Sequence, residues 1–165
     1  MNKKQKLQKG FTLVELLVVI AIIGILASLL LLQLGIARQR ARDAKRIADV
    51  NQVRTASELY FDDAGTYPQQ ATYAGLAALL VPKYLTQLPN DPLNVAPHTY
   101  NYAYNGGNRY MIWAELEQAS QALKSDADIN SSVGWTGQGR DGADANGVNC
   151  TTGAVIDCVY DQGQN

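Results

Sequence analysis

The sequence predicts an α+β protein in which one long N-terminal helix packs on a small antiparallel sheet. Three observations predict it. The run Phe11–Ala37 is apolar and carries a single ionisable side chain, Glu15. From Arg38 to Asp63 there is no Gly or Pro, and Ala44, Ile47, Ala48, Val50, Val53, Ala56, Leu59 and Tyr60 recur mostly three or four apart, which marks an amphipathic helix face. Tyr100–Tyr104 then alternates tyrosine with smaller residues, Asn105-Gly106-Gly107-Asn108 is turn chemistry, and Arg109–Leu116 sets Tyr110, Ile112, Ala114 and Leu116 on one face, so the segment reads as a β-hairpin.

Taken in order, Met1–Gly10 is a basic leader with Lys3, Lys4, Lys6 and Lys9 and no acid. Residues 11–37 follow as the membrane segment. At about 1.5 Å per residue they make a helix of roughly 40 Å, enough for a bilayer core of about 30 Å. That exceeds the roughly 7–15 apolar residues of a secretory signal. Residues 38–64 continue the helix with an apolar stripe able to receive a domain. Gly65 stops it and Tyr67-Pro68 begins a non-helical path. Residues 65–165 form the head. It has a short helical stretch around Tyr73–Leu80, the Leu88-Pro89 and Asp91-Pro92 corners, and the hairpin. A Ser/Asp/Gly/Asn-rich loop over Lys124–Asn149 follows, then a short strand over Ala154–Tyr160.

The chain has 165 residues and a formal net charge of −1, so bulk charge names no nucleic-acid partner. The charges are segregated. Arg38, Arg40, Arg42, Lys45 and Arg46 follow the apolar run, and Asp126, Asp128, Asp141, Asp144, Asp157 and Asp161 fill the last third. Each cluster reads as solvated surface, with pairing between neighbouring copies as the alternative; an exposed pair contributes only about 0–1 kcal/mol. Two cysteines, Cys150 and Cys158, are too few for a structural zinc site and are not spaced as C-x-x-C. Beyond a membrane they form a disulfide worth roughly 2–3 kcal/mol of loop entropy; two free thiols are the alternative.

Lys9-Gly10-Phe11-Thr12-Leu13-Val14-Glu15 before an unbroken apolar helix resembles the N-terminus of type IV pilins and type II secretion pseudopilins. The helix ending at Tyr67-Pro68, the Leu88-Pro89-Asn90-Asp91-Pro92 segment and the tyrosine-rich strand extend the resemblance to about Glu117, with most similarity to the major pseudopilin. Relatives often carry a proline where this chain has Leu32, so the helix break linked to that proline is not expected here. The resemblance implies that a prepilin peptidase cuts between Gly10 and Phe11 and methylates the new Phe11 amine. It implies that Glu15 pairs with the N-terminal amine of a neighbouring subunit. Two opposite charges in low dielectric relieve each other's desolvation, and only a correctly registered subunit supplies the partner. The alternative is a carboxylate that snorkels to the headgroups. Lys and Arg counts do not fix orientation, because both flanks are basic. The resemblance implies a single-pass protein of the cytoplasmic membrane, its leader in the cytoplasm and its head outside, later in a periplasmic or cell-surface filament.

The function so implied is that of a pilin-like structural subunit, not an enzyme, in a type IV pilus-like filament. Its partners would be further copies of itself, the prepilin peptidase, an inner-membrane assembly platform with its ATPase, and membrane lipid before assembly. The alternatives are the major pseudopilin of a type II secretion system, a competence pilin that imports DNA, and a membrane-anchored binding domain that never polymerises. No catalytic set is visible: His98 is the only histidine. Gly137-Gln138-Gly139-Arg140-Asp141-Gly142 spells G-x-G-x-x-G, yet no apolar strand precedes it and no helix follows, so a dinucleotide is not expected. Nucleic acid is not expected at the tyrosines, which read as sheet core and surface, nor at Arg38–Arg46. No cofactor is required. Calcium is the one to test, through the hard oxygens of Asp126, Asp128, Asp141, Asp144 and Asn146 in a Gly-rich loop that lacks the EF-hand glycine and closing glutamate. A solvated loop is the alternative.

Overall fold

The computed structural model describes residues 11–118, 120–142 and 158–165. The order is helix α1 (Leu13–Ala64), a 3-10 turn (Ala74–Leu76) running into short helix α2 (Ala77–Leu80), strands β1 (Tyr100–Asn105) and β2 (Arg109–Glu115), a second 3-10 turn (Gln121–Lys124), and strands β3 (Thr136–Gly137) and β4 (Val159–Gln164). The chain divides into two compact units, Met1–Arg38 and Gln39–Asn165. The apolar part of α1 is long and apolar enough to cross a membrane by length and composition, and none of it is buried within the structure. As expected without a proline at Leu32, α1 runs as one helix element.

In the second unit the sheet is antiparallel in the order β3-β1-β2-β4. The hairpin pairs Tyr100 with Ala114 and Tyr104 with Tyr110. Its tight turn places Gly106 and Gly107 at φ +64° and +86°, a left-handed pair that side-chain-bearing residues enter at a cost. At the other end of the register, β4 lies against β2 with Val159 opposite Glu115 and Gln164 opposite Tyr110. Strand β4 covers Val159 and Tyr160 of the Ala154–Tyr160 expected from sequence and continues to Gln164. Residues 154–157 lie outside the described part. Gly65, at φ +71°, ends α1 where the sequence placed the stop, its N–H bonding the Phe61 carbonyl at 2.8 Å.

One face of the sheet packs on the helix. Val50, Val53 and Ala56 join Tyr67, Tyr73, Leu76, Leu80, Tyr100, Tyr102, Tyr110, Ile112, Ala114 and Leu116 in one core. Buried phenols need partners, and each has one. Tyr67 and Tyr110 both donate to Glu58 at 2.8 Å, Tyr100 donates to Asp49 at 2.6 Å, and Tyr73 and Tyr102 donate to the Pro89 and Pro68 carbonyls at 2.8 Å. The tyrosines are thus core, as the sequence reading preferred.

Two features differ from the sequence reading. The buried helix face follows the apolar stripe at Val50, Val53 and Ala56, with Ile47 and Tyr60 packed beside them, but Ala44, Ala48 and Leu59 are exposed, while Asp43, Arg46, Asp49 and Ser57 are buried. Asp43 and Arg46 move inward because the head brings backbone N–H groups and carboxylates to meet them, and Asp49 accepts the Tyr100 hydroxyl. The Gly/Asp-rich loop is not simply solvated either. Its 126–142 portion folds over the far face of the sheet, where Ile129 and half-buried Trp135 cover Met111, Trp113 and Val159. The Trp113 indole N–H donates to the Gln138 carbonyl at 2.8 Å, and the Ile129 and Gly142 backbones bond each other.

Candidate functional site

The motif end of the chain forms a helix start. Thr12 is the residue before α1. Its Oγ1 accepts the Glu15 N–H at 3.2 Å, and the Glu15 carboxylate accepts the Thr12 N–H at 2.9 Å and the Thr12 hydroxyl at 2.7 Å. This reciprocal capping box satisfies orphan N–H groups at the start of an apolar helix. Thr12-x-x-Glu15 was the legible signal for it, and the sequence reading gave Glu15 no local partner. Phe11 and the apolar side chains behind it are exposed, Phe11 at 85%. Gly10, the other half of the expected cleavage point, lies outside the described residues.

The second site joins the head to α1. Arg46 sits about one turn beyond Arg42 and is fully buried, although the sequence placed it in a solvated basic cluster. Its guanidinium forks onto Asp91, Nε to Oδ2 at 2.6 Å and Nη2 to Oδ1 at 3.1 Å. Its Nη1 donates to Asp43 at 2.8 Å and to Glu117 at 2.7 Å. Arg42 closes the other side of Glu117 in a second fork. Asp43 in turn accepts the backbone N–H groups of Glu117 and Gln118, both at 2.9 Å. Asp91 accepts that of Leu93 at 2.8 Å. Two loop segments, 91–94 and 117–118, are therefore fastened to one turn of the helix. The bonds from Arg42 hold the Glu117 carboxyl down at about 2 against the opposing pull of burial. Burial pushes the Asp91 carboxyl up, and the bond from Arg46 with the others it accepts brings it below the usual range. No single-residue motif announces this cluster, because its members are brought together from three segments.

The acidic residues expected to hold calcium are divided. Asp144 and Asn146 lie outside the described residues. Asp141 is exposed and forms a β-bridge with Asn130. Asp126 and Asp128 lie near Asp161, which is fully buried, a correction to its reading as solvated surface. Asp161 accepts the N–H groups of Asp128 at 3.2 Å and Ile129 at 3.0 Å, and its own N–H donates to Asp126 Oδ2 at 3.3 Å. Asp126 Oδ1 is buried with no hydrogen-bond partner among the described residues. Burial, then the Asp161 charge, pushes the Asp126 carboxyl up to about 7. Among the described residues, no group of three or more His, Cys, Asp or Glu side chains is placed to hold a metal. Cys158 is buried, but the Cys150–Cys158 pairing lies outside the described residues because Cys150 does. His98 bonds the Glu115 carbonyl at 3.1 Å and takes part in no catalytic arrangement among the described residues.

The family described as the prokaryotic N-terminal methylation motif matches residues 5–31. Fimbrial protein EcpC of Eikenella corrodens is 42% identical over 86 residues, covering 51% of this chain and 55% of that protein. Type II secretion system core protein G of Klebsiella michiganensis is 36% identical over 102 residues, covering 54% of this chain and 70% of that protein. The type IV wide pilus major component PilA4 of Thermus thermophilus is 43% identical over 79 residues, covering 47% and 60%. The chain thus spans between about half and 70% of the length of these relatives. No solved structure matches it. With the methylation motif at residues 5–31, the capped apolar helix behind it and a head of one helix on an antiparallel sheet, the chain belongs to the family of type IV pilins and type II secretion pseudopilins, a family of structural subunits rather than enzymes.

Proposed function

We propose that this protein is the structural subunit of a type IV pilus-like filament. The observation that carries the reading is the exposed apolar part of α1 with one carboxylate at its capped start, joined in one chain to a folded head. An apolar surface of that length needs lipid or other copies of itself, and a head-to-tail contact that does not close makes a fibre. On this reading a prepilin peptidase cuts between Gly10 and Phe11 and methylates Phe11. An assembly platform and its ATPase then draw the subunit from the cytoplasmic membrane, and the apolar helix becomes the filament centre. The second reading, a type II secretion pseudopilin, is favoured by the similarity to core protein G. N-terminal sequencing and intact mass of protein sheared from cells test both. A chain beginning at methylated Phe11 in the sheared fraction is expected. A processed chain that stays with the cells favours the pseudopilin, and an uncut chain beginning at Met1 overturns both.

Two smaller proposals accompany it. The first is a Cys150–Cys158 disulfide. The native chain should resist alkylation by iodoacetamide under denaturing conditions until it is reduced; alkylation before reduction would refute the bond. The second is calcium in the loop of Asp126, Asp128, Asp141, Asp144 and Asn146, supported by the buried Asp126 oxygen that has no hydrogen-bond partner among the described residues and by the like charges near it. Millimolar calcium should raise the melting temperature at pH 8, and no change would refute it. Asp126→Asn should also raise stability there without calcium. The sign follows from a folded pKa raised from 3.8 to about 7: stability falls as pH rises from about 4 to 7, and the variant removes that loss.

A further inference from the structure

Five basic residues follow the apolar run, and the structure separates them. Arg42 and Arg46 are held by Glu117, Asp43 and Asp91, and Lys45 by Asp49. Arg38 and Arg40 are exposed, and among the described residues no carboxylate pairs with either. Their position has a length argument behind it. The run Phe11–Ala37 reaches roughly 40 Å along a helix, and a bilayer with its headgroups is about 40–45 Å thick. With Phe11 at one headgroup layer, the first charges beyond the run fall in the other. At about 100° per residue, Arg38 and Arg40 point about 200° apart around the helix axis, so they reach different lipids and not one.

We infer that Arg38 and Arg40 form a collar that binds the phosphates of anionic lipids in the leaflet where α1 leaves the membrane. This rests on the reading of α1 as a membrane helix. A planar guanidinium matches a phosphate in two-point geometry, and its stem can bend to reach the headgroup level. Two arginines on opposite sides of the helix fix its depth and resist tilting. Arg42 and Arg46 are spoken for by the head and contribute little to the collar. Because the collar is electrostatic, its lipid preference weakens with salt.

The test reconstitutes the full chain in vesicles of phosphatidylcholine containing phosphatidylglycerol and measures which spin-labelled lipid contacts the protein. The wild type should prefer spin-labelled phosphatidylglycerol over phosphatidylcholine by about threefold at low salt. The basic leader adds to that preference in every form, so the reading is the difference between variants. Arg38→Gln with Arg40→Gln should remove most of the preference that remains when the leader lysines are replaced by glutamine. Arg109→Gln, an exposed arginine of the hairpin, should leave it unchanged. An unaltered preference in the double variant overturns the inference. So does a double variant that weakens self-association in pure phosphatidylcholine without changing lipid preference, which would assign the arginines to a second copy. Failure of the wild type to float with vesicles would overturn the membrane reading itself, and the collar with it.

Discussion

Replacing Arg46 by Ala should cost the head about 3–5 kcal/mol, the usual penalty for removing one partner of a buried ion pair. The fully buried guanidinium serves Asp91, Asp43 and Glu117 together, and without it those carboxylates face one another with only Arg42 between them. Loops 91–94 and 117–118 lose their shared fastening to α1. Denaturant unfolding of the full chain in detergent, followed by the fluorescence of Trp113 and Trp135, measures the loss. Arg46→Lys should fall between, since one ammonium cannot reproduce the fork onto Asp91 and the two bonds from Nη1. An Arg46→Ala variant within about 1 kcal/mol of wild type would show that the cluster contributes little to folding. The same cluster sets a pH dependence. Glu117 is held at about 2, below its ordinary 4.5, so its contribution is complete above about pH 5 and is lost as pH falls towards 2. In Arg42→Gln with Arg46→Gln the Glu117 carboxyl returns towards its ordinary value, so that acid-side loss should largely disappear.

Glu15→Ala should reduce filament at the cell surface about tenfold or more, corresponding to at least ~1.4 kcal/mol in the addition of each subunit. The capping box makes a sharper comparison available. Glutamine also serves at the fourth position of such a box, so Glu15→Gln retains the hydrogen bonds to Thr12 while removing the charge. If assembly depends on a charged pair with a neighbour's amine, Glu15→Gln should fail as fully as Glu15→Ala while the protein level in the membrane stays normal. Normal filaments from Glu15→Gln would show that the carboxylate serves only its own helix. Thr12→Val separates the contributions from the other side: it removes the cap, worth about 1 kcal/mol, and leaves the charge in place.

The membrane-length run, the helix stop at Gly65, the hairpin turn and its tyrosine alternation were legible because each is a local property. Hydropathy, the left-handed freedom of glycine and period-two alternation are written in consecutive residues. The family motif was legible for the same reason, being confined to a few positions around Gly10 and Glu15. The sequence placed Val50, Val53 and Ala56 on the inward side of the amphipathic helix, but not the polar residues that join them there. Apolar spacing pointed to Ala44, Ala48 and Leu59, but the head brings Asp91 and Glu117 against the neighbouring stripe and draws Asp43, Arg46 and Asp49 inside.

Tertiary structure alone decided the fate of the charges. In sequence, Arg42 and Arg46 cannot be told from Arg38 and Arg40, nor Asp161 from Asp141. An arginine is stable in a core only where carboxylates surround it, and a carboxylate only where N–H groups reach it. Those partners arrive from residues 43, 91, 117, 128 and 129, whose meeting depends on the whole head. Composition and local pattern therefore determined the helix, the sheet and the family. Which ionic groups fasten the head, and which stay outside for other molecules, was settled only by long-range packing, because the stability of a buried charge depends on partners that local sequence does not contain.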